Sequence, residues 1–314
     1  MRFASLTASY RDRSPNLGNE LLGRAGDPGI ALEQASEELR RSQSQTPGLK
    51  QRGEMNLCRP DTGKSCASCC GLYNVADGTR PSLFRKLLSR TTLFRTVQRS
   101  PSAIQEFGEL IQRTEAAPAL DEAIHSCEFT GFVDPEFTSV GCMLHPTAAE
   151  NYGIDFRGLC HYGSMACKAF FCPAWTEVLS RHLTILSDVI DDWHLWGLVA
   201  TDVDYLSALF GLVEGSLGEP ADLLLQSDSR PREIFTRMLA WKDSWPMRGT
   251  STLRRSRYYC KGSFGESTDV DQSIEVMLEC LRFTFDTKFS QDGGRDLIRR
   301  TLDELIMAGK STMP

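Results

Sequence analysis

Cysteines are the residues of this chain whose number and spacing point to chemistry. Nine of the eleven lie within the 115 residues from Cys58 to Cys172, and only Cys260 and Cys280 lie outside that stretch. A thiolate can bind a soft or borderline metal ion, and it can also act as a nucleophile or as half of a redox pair. The clustering predicts one functional unit in this part of the chain, and it favours metal binding.

The run Cys66-Ala67-Ser68-Cys69-Cys70 contains the closest spacing. Two cysteines separated by two residues can place both sulfurs on one metal, because the turn between them directs backbone N–H groups at the thiolates and offsets their charge. Adjacent side chains diverge, so we expect Cys69 and Cys70 to bind different irons or different sites. Such a pair supplies only half of a four-ligand site, and the other ligands must come from elsewhere.

A second group of cysteines supplies the remaining candidate ligands. It occupies a stretch rich in glycine and proline between residues 127 and 173, which predicts irregular backbone. Its spacing matches neither a zinc ribbon, which has two regular CxxC pairs, nor a bacterial ferredoxin run. So many irregularly spaced thiols favour an iron–sulfur cluster, with 4Fe–4S as the first expectation, over zinc, and both stay open. The candidate metal ligands are Cys58, Cys66, Cys69, Cys70, Cys127, Cys142, Cys160, Cys167 and Cys172.

The order of these motifs carries a family resemblance. The CxxCC run at residues 66–70, a Cys-Glu-Phe element at 127–129, the stretch 141–146 and the pair Cys167 and Cys172 are similar to the YkgJ-like cysteine-cluster family. That family is described as chelating zinc or iron, and its broader relatives include flagellin lysine-N-methylase. The family often shows CxxCxxCC, whereas here seven residues separate Cys58 from Cys66.

The resemblance spans roughly residues 58–175 and has implications for both ligands and activity. It implies a metal site in a structural or redox role, or alternatively a metal-dependent enzyme that modifies proteins, such as a lysine N-methylase. Whether the protein is an enzyme stays open at this point. The cysteines that match the family's chelating positions are Cys66, Cys69, Cys70, Cys127, Cys142 and Cys167, with Cys58, Cys160 and Cys172 as additions.

Other chemistry has weaker support in the sequence. His145 and His161 lie among the thiols and are alternative ligands, although a histidine in a loop more often bonds backbone or water. A nucleophilic role for Cys160 or Cys172 would need a nearby base, which no pattern identifies. The stretch 262–265 is a weak candidate for a cofactor-binding glycine loop, because no strand is predicted before it.

Composition and charge limit the partners. A net charge of −6 and a pI near 5.5 give no general attraction to nucleic acid or to an anionic membrane, so neither is expected as a partner. The most apolar stretch, 193–213, contains Asp202 and Asp204 and predicts a buried helix rather than a membrane span. Since no apolar signal-peptide stretch opens the sequence, we expect a cytoplasmic protein, whose reducing surroundings favour metal-bound thiols over disulfides.

The elements that position these residues divide the chain into three predicted parts. Residues 1–54 are predicted to be a disordered lead, 55–175 a cysteine-cluster metal-binding domain and 176–314 a helical C-terminal domain. The fold class is mainly α, with an irregular cysteine-rich core packed with amphipathic helices. Helices are predicted at 80–100, from 101 onward, at 178–193, 198–213, 234–245, 273–288 and 295–308.

The predicted helix at 80–100 contains six basic residues and no acidic one. Two interpretations stay open for it. One is an ordinary surface helix that packs by its apolar face, and the other is a docking face for an acidic protein partner or a phosphate.

Overall fold

The computed structural model describes residues 56–60, 63–115, 119–217, 221, 229–259 and 269–310. The predicted disordered lead, Cys260 and the candidate glycine loop at 262–265 lie outside these residues. Helices make up most of the described structure, which confirms the mainly α prediction. They are α1 (Arg80–Arg95), α2 (Pro101–Thr114), α3 (Gly163–Ala169), α4 (Ala174–Glu177), α5 (Ser180–Val189), α6 (Trp193–Val199), α7 (Val203–Leu217), α8 (Ser229–Ser244), α9 (Val270–Phe285) and α10 (Gln291–Lys310).

Two short strands form an antiparallel hairpin between α2 and α3. Strand β1 is Thr130–Phe132 and strand β2 is Val140–Cys142, with Thr130 opposite Cys142. The sequence predicted only turns here, because three-residue strands are too short to produce a recognisable alternation of apolar and polar residues.

Helix α2 begins where the sequence predicted a helix start. The Ser100 hydroxyl accepts a hydrogen bond from the backbone N–H of Ala103, and Pro101 occupies the first helical position. Both features are favourable because the first amides of a helix lack intrahelical acceptors. The helix buries Ile104 and Phe107.

The helix predicted at 178–193 is interrupted. Helix α5 ends at Val189, and Asp192 begins α6 by accepting hydrogen bonds from the N–H groups of His194 and Leu195. An aspartate at this position stabilises a helix start, and this effect outweighs the continuous apolar pattern that suggested a single helix.

The helices predicted at 273–288 and 295–308 place Gly293 and Gly294 in the break between them, and this part of the prediction is wrong. Both glycines lie in the first turn of α10, which begins at Gln291. A Cβ atom on Gly294 would lie 2.6 Å from Leu278 Cδ2 on α9. Glycine is therefore needed here for close packing of two helices rather than for a break.

The described residues between 56 and 310 belong to one compact unit. Its largest hydrophobic core lies among α5 to α10 and contains Trp196, Trp245 and Phe210. Leu57 from the cysteine region is buried in the same core, and its carbonyl accepts a hydrogen bond of 2.9 Å from Trp196 Nε1. The helical core thereby fixes the chain immediately before the first candidate ligand, Cys58.

A buried charge network fixes a second segment that reaches the cysteines. Lys242 and Asp202 are fully buried, and Lys242 Nζ lies 2.7 Å from Asp202 Oδ2. Arg257 contacts Asp202 and also Asp204, at 3.2 and 2.6 Å. Buried charges are stable only when paired, so the network holds the 3-10 turn Arg257–Tyr259 against α7 and α8.

Within the described part of the chain, no single helix has both the length and the apolar composition to cross a membrane. That length and composition are reached only when two helices, Trp193–Val199 and Val203–Ser216, are counted together, and these two are bent by 85° relative to each other.

Candidate metal centre

Eight of the nine candidate ligands line a single cavity of about 620 Å³ that is partly open to solvent. Its volume is typical of small-molecule pockets, which span roughly 300–1,000 Å³. We call it the thiol cavity. Cys172 is not part of its wall, but it lies close enough to Cys58 and Cys66 to raise their pKa values. The cysteines of the wall are Cys58, Cys66, Cys69, Cys70, Cys127, Cys142, Cys160 and Cys167.

The first run of cysteines is held by its own backbone. The N–H of Cys66 donates to the carbonyl of Cys58 at 2.9 Å, which closes the loop between them. The 3-10 turn Ser68–Cys70 ends at Gly71, whose φ of +75° and close approach to His125 require glycine. The carbonyl of Cys70 accepts a 2.9 Å hydrogen bond from the N–H of Cys127, and this bond joins the two groups of thiols.

The hairpin brings two downstream cysteines to the cavity. Cys142 ends β2, and Cys127 lies three residues before β1, so strand pairing places both beside the same wall. Helix α1 supports this wall from behind, because Arg90 Nη1 donates to the carbonyl of Cys127 at 2.9 Å. Glu115 in turn holds the guanidinium of Arg90 by two hydrogen bonds of 2.7 and 2.8 Å.

Cys160 and Cys167 form a close pair of thiols. Their sulfurs are 3.4 Å apart, which is far longer than a disulfide bond of about 2.0 Å. Cys160 follows the 3-10 turn Arg157–Leu159, and Cys167 lies in α3. The Arg157 side chain ties the two elements together by donating to the Cys167 carbonyl at 3.3 Å. All ten described cysteines are free thiols.

Backbone N–H groups face four of the thiols, and in each case a donor comes from two residues further along the chain. The Ser68 N–H lies 3.5 Å from the sulfur of Cys66, as predicted for this turn. Such donors offset the negative charge of metal-bound thiolates and tune the metal. The four donor and thiol pairs are Ser68 with Cys66, Phe129 with Cys127, Leu144 with Cys142, and Ala174 with Cys172.

Several of the cavity thiols have strongly raised pKa values. Burial, together with neighbouring thiols, raises the pKa of Cys58, Cys66, Cys142 and Cys167 to about 12. A hydrogen bond to Cys69, followed by burial, raises the pKa of Cys70 well above its usual value. A reactive cysteine instead needs a lowered pKa. The cavity therefore suits thiols that lose their protons when a cation binds. It suits a cysteine that acts as a free nucleophile less well.

A buried hydroxyl behind the cavity wall, that of Thr130, lacks an ordinary partner among the described residues. Thr130 is 1% exposed, and its Oγ1 makes no conventional hydrogen bond among the described residues. Its hydroxyl lies beside the sulfur of Cys70. Leaving a buried hydroxyl unpaired is costly, and a thiolate at Cys70 would provide the acceptor that it lacks. This part of the wall therefore fits an ionised, metal-bound cysteine.

The two alternative histidine ligands differ in their surroundings. His145 lines the thiol cavity, where its Nδ1 lies 2.7 Å from the Thr147 hydroxyl. His161 stacks on His125 with ring centroids 4.1 Å apart. Among the residues that the structure describes, no three His, Cys, Asp or Glu side chains are grouped as a single-ion site would require. The thiols surround a volume instead of meeting at a point.

Sequence reasoning missed the non-cysteine part of the wall. Arg59, Arg157 and Tyr162 line the cavity from within the cysteine region, and Tyr258 reaches it from the segment anchored by the buried charges. The ring of Tyr258 packs edge-on against Phe170, with centroids 5.8 Å apart. No sequence pattern linked Tyr258 to the thiols, because the packing of the helical core alone brings its segment to the cavity.

The basic helix α1 pairs with acidic groups of the same chain. Arg90 and Lys86 contact Glu115, Arg95 lies 3.3 Å from Glu150, and Arg80 lies 3.5 Å from Asp192. These pairs favour the interpretation of α1 as a packed helix over that of a docking face.

Comparison with known proteins gives no match: no family model, no curated protein and no solved structure matches this chain. The similarity to the YkgJ-like cysteine-cluster family thus stays a prediction that rests on the cysteine pattern.

Proposed function

We propose that this protein binds an iron–sulfur cluster through the thiolates of the thiol cavity. The observation that carries the proposal is that eight cysteines, distant in the sequence, line one cavity of about 620 Å³. Iron–sulfur clusters are held by cysteine thiolates, usually four for each cluster. The role that follows for the metal centre is structural or redox.

The distribution of the thiols favours a cluster over a single zinc ion. Four ligands of one zinc ion converge on a point, with Zn–S distances of about 2.3 Å. In a cluster the thiolates bind separate irons, so they are spread around a larger volume. The thiols here line a volume, and no regular pair of CxxC motifs accompanies them.

The surroundings of the sulfurs support the same proposal. N–H groups face Cys66, Cys127, Cys142 and Cys172, and hydrogen bonds of this kind help to set the potential of a cluster. Since burial raises the pKa of these thiols, stable thiolates need a cation, and the iron of a cluster supplies it.

The test is anaerobic purification followed by assays for iron, zinc and acid-labile sulfide, together with a visible absorption spectrum. We expect brown protein with comparable amounts of iron and sulfide. Colourless protein with stoichiometric zinc would show that the cavity binds zinc instead of a cluster. Protein that takes up neither metal, even after reconstitution with iron and sulfide, would refute metal binding.

A second candidate is a metal-dependent enzyme that modifies proteins, such as a lysine N-methylase. The observation that favours it is that the cavity is partly open and that Arg59, His145 and Tyr258 line it beside the thiols. A purely structural site is usually closed, whereas a catalytic one keeps access for substrate. Equilibrium dialysis of the metal-loaded protein with S-adenosylmethionine tests this candidate, and absence of binding would remove the methylase version.

A further inference from the structure

Cys160 and Cys167 are close to the distance at which two thiols can be joined. Their sulfurs are 3.4 Å apart, and one thiol donates a hydrogen bond to the other. A disulfide bond has a sulfur–sulfur distance of about 2.0 Å. The two sulfurs would therefore have to approach by about 1.4 Å, which is the difference between these distances.

The two thiols differ in how a small reagent can reach them. Cys160 is buried, whereas Cys167 is partly exposed in helix α3. The residues that follow it in α3, Lys168 and Ala169, are exposed, so this part of the helix lies on the surface. A reagent from solution therefore meets Cys167 first, and Cys160 is in contact with it on the buried side.

The Arg157 side chain holds this pair in place. It donates to the Cys167 carbonyl at 3.3 Å, and its charge lies within electrostatic range of the Cys167 thiol. A positive charge beside a cysteine favours the thiolate, which is the form that attacks a disulfide. Burial and the neighbouring thiols nevertheless raise the pKa of Cys167 to about 12. We therefore expect a slow reaction whose selectivity comes from the contact between the two sulfurs.

We propose that Cys160 and Cys167 form a redox switch: in the metal-free protein a small-molecule disulfide oxidises the pair to an intramolecular disulfide, which lowers metal uptake until a thiol reductant reverses it. The proposal rests on the proposed function and adds a regulation of the same site. Oxidation takes two of the eight thiols of the cavity wall away from the metal. One of them, Cys160, lies close to Cys70, Cys127 and Cys142, so these three lose a shared neighbour.

The reaction is a thiol–disulfide exchange with oxidised glutathione, in two steps. Cys167 Sγ attacks one glutathione sulfur, the S–S bond of glutathione breaks, and a mixed disulfide forms while one glutathione thiolate leaves. Cys160 Sγ then attacks Cys167 Sγ, which forms the protein disulfide and releases the second glutathione. The two protons of the protein thiols pass to the two glutathione thiolates. The cysteine pair loses two electrons, and the glutathione disulfide gains them.

The experiment treats the metal-free full chain with oxidised glutathione and then alkylates the remaining thiols under denaturing conditions. Trypsin cuts after Arg157 and Lys168 and releases residues 158–168, a peptide that contains Cys160 and Cys167 and no other cysteine. Mass spectrometry should find this peptide without its two thiol hydrogens and without alkylation, and a thiol reductant should return it to the doubly alkylated form. A peptide that stays alkylated at both cysteines overturns the proposal.

Co²⁺ absorption of the same samples tests the effect on metal uptake. Oxidised protein should bind less Co²⁺ than reduced protein, and reduction should restore the difference. A disulfide that leaves Co²⁺ uptake unchanged would overturn the switch. Reduced wild-type protein that takes up neither Co²⁺ nor reconstituted iron would instead refute the proposed function, and the switch would fail with it even where the peptide shows the disulfide.

Three variants test the order of the two steps. Cys160→Ser should stop at a mixed disulfide between Cys167 and glutathione, whereas Cys167→Ser should leave the buried Cys160 free for alkylation. Cys280→Ala is the control, because Cys280 is fully buried in the large helical core outside the cavity wall, and it should form the disulfide as wild type does. Glutathione bound to Cys160 in Cys167→Ser, with none on Cys167 in Cys160→Ser, would overturn this order. The wild-type peptide decides the switch itself, whether or not the variants fold.

Discussion

At the scale of single residues, hydrogen-bond donors beside several of the candidate ligands influence the ionisation of their thiols. The N–H of Ser68 faces Cys66, and the hydroxyl of Thr130 lies beside Cys70. These groups favour the thiolate, while burial favours the protonated thiol and raises the pKa of Cys66 to about 12. Because burial prevails, a metal ion entering the cavity has to displace protons.

This competition predicts that metal affinity rises with pH. A raised thiol pKa means that the proton is still bound at neutral pH, so metal binding releases it and becomes weaker as the pH falls. Since the pKa values of Cys58, Cys66, Cys142 and Cys167 are about 12, the rise should continue throughout pH 6.5 to 8.5. We expect an increase of at least roughly tenfold per pH unit.

The measurement is a titration of metal-free protein with Co²⁺, followed by thiolate-to-cobalt absorption at several pH values. A competing chelator of known pH dependence serves as reference. An affinity that does not change with pH would show that the thiols are already ionised before metal binding.

At the scale of elements, α1 connects the rest of the fold to the cavity wall through one side chain. Arg90 is buried, donates to the carbonyl of Cys127 and is held by Glu115. Removing Arg90 would take this donor away from the Cys127 carbonyl and would leave Glu115 paired with Lys86 alone of these two cations.

We predict that Arg90→Ala lowers the free energy of unfolding by roughly 3 kcal/mol. The matched control is Arg113→Ala, since Arg113 and Glu109 form an exposed pair whose loss should change stability by less than about 0.5 kcal/mol. Denaturant unfolding of both variants measures the difference. Equal effects would mean that Arg90 does not support the wall.

The packing of α10 on α9 gives a second prediction at this scale. Gly294→Ala should destabilise the protein by about 1–3 kcal/mol, because its Cβ would collide with Leu278 Cδ2. Gly293→Ala is the control. Its Cβ would lie 3.3 Å from the end of the flexible Met247 side chain, so the change should be neutral or stabilising by up to about 1 kcal/mol. Thermal unfolding that ranks the two variants in the opposite order would contradict this packing.

At the scale of the whole molecule, stability is unevenly distributed. The large core of α5 to α10 contains several fully buried tryptophan and phenylalanine side chains. The cysteine region instead has three-residue strands, short turns and two smaller cores. Regions with few regular hydrogen bonds open more easily, so a metal bound at the proposed site would stabilise this region most.

We predict that removing the metal affects the cysteine region selectively. After chelation, backbone amides at 66–71 and 127–143 should exchange faster with deuterium, whereas those of α7 and α9 should stay protected. Hydrogen exchange with mass spectrometry of metal-loaded and chelator-treated protein measures this. A uniform change along the chain, or none, would contradict a metal-dependent cysteine region.

Some features of this fold depend only on local sequence, whereas others depend on contacts that the sequence does not display. The cysteine pattern, the start of α2 at Ser100 and Pro101, and the mainly helical character are visible in the sequence, because they depend on residue types and on local periodicity. The break before Asp192, the glycines of α10 and the hairpin were not predicted correctly. Each of them depends on a local cap, on a contact with another helix or on strands too short to show a pattern.

The sequence by itself determined which residues are candidates for metal binding and that their backbone is irregular. Only the tertiary structure decided that thiols as distant as Cys58 and Cys167 line one cavity, that Tyr258 joins them, and that Cys66 and Cys70 pack on different cores. The physical reason is that a thiol has the same chemistry wherever it lies in the chain. The distances between thiols are set by hydrophobic cores and buried ion pairs that form between remote segments.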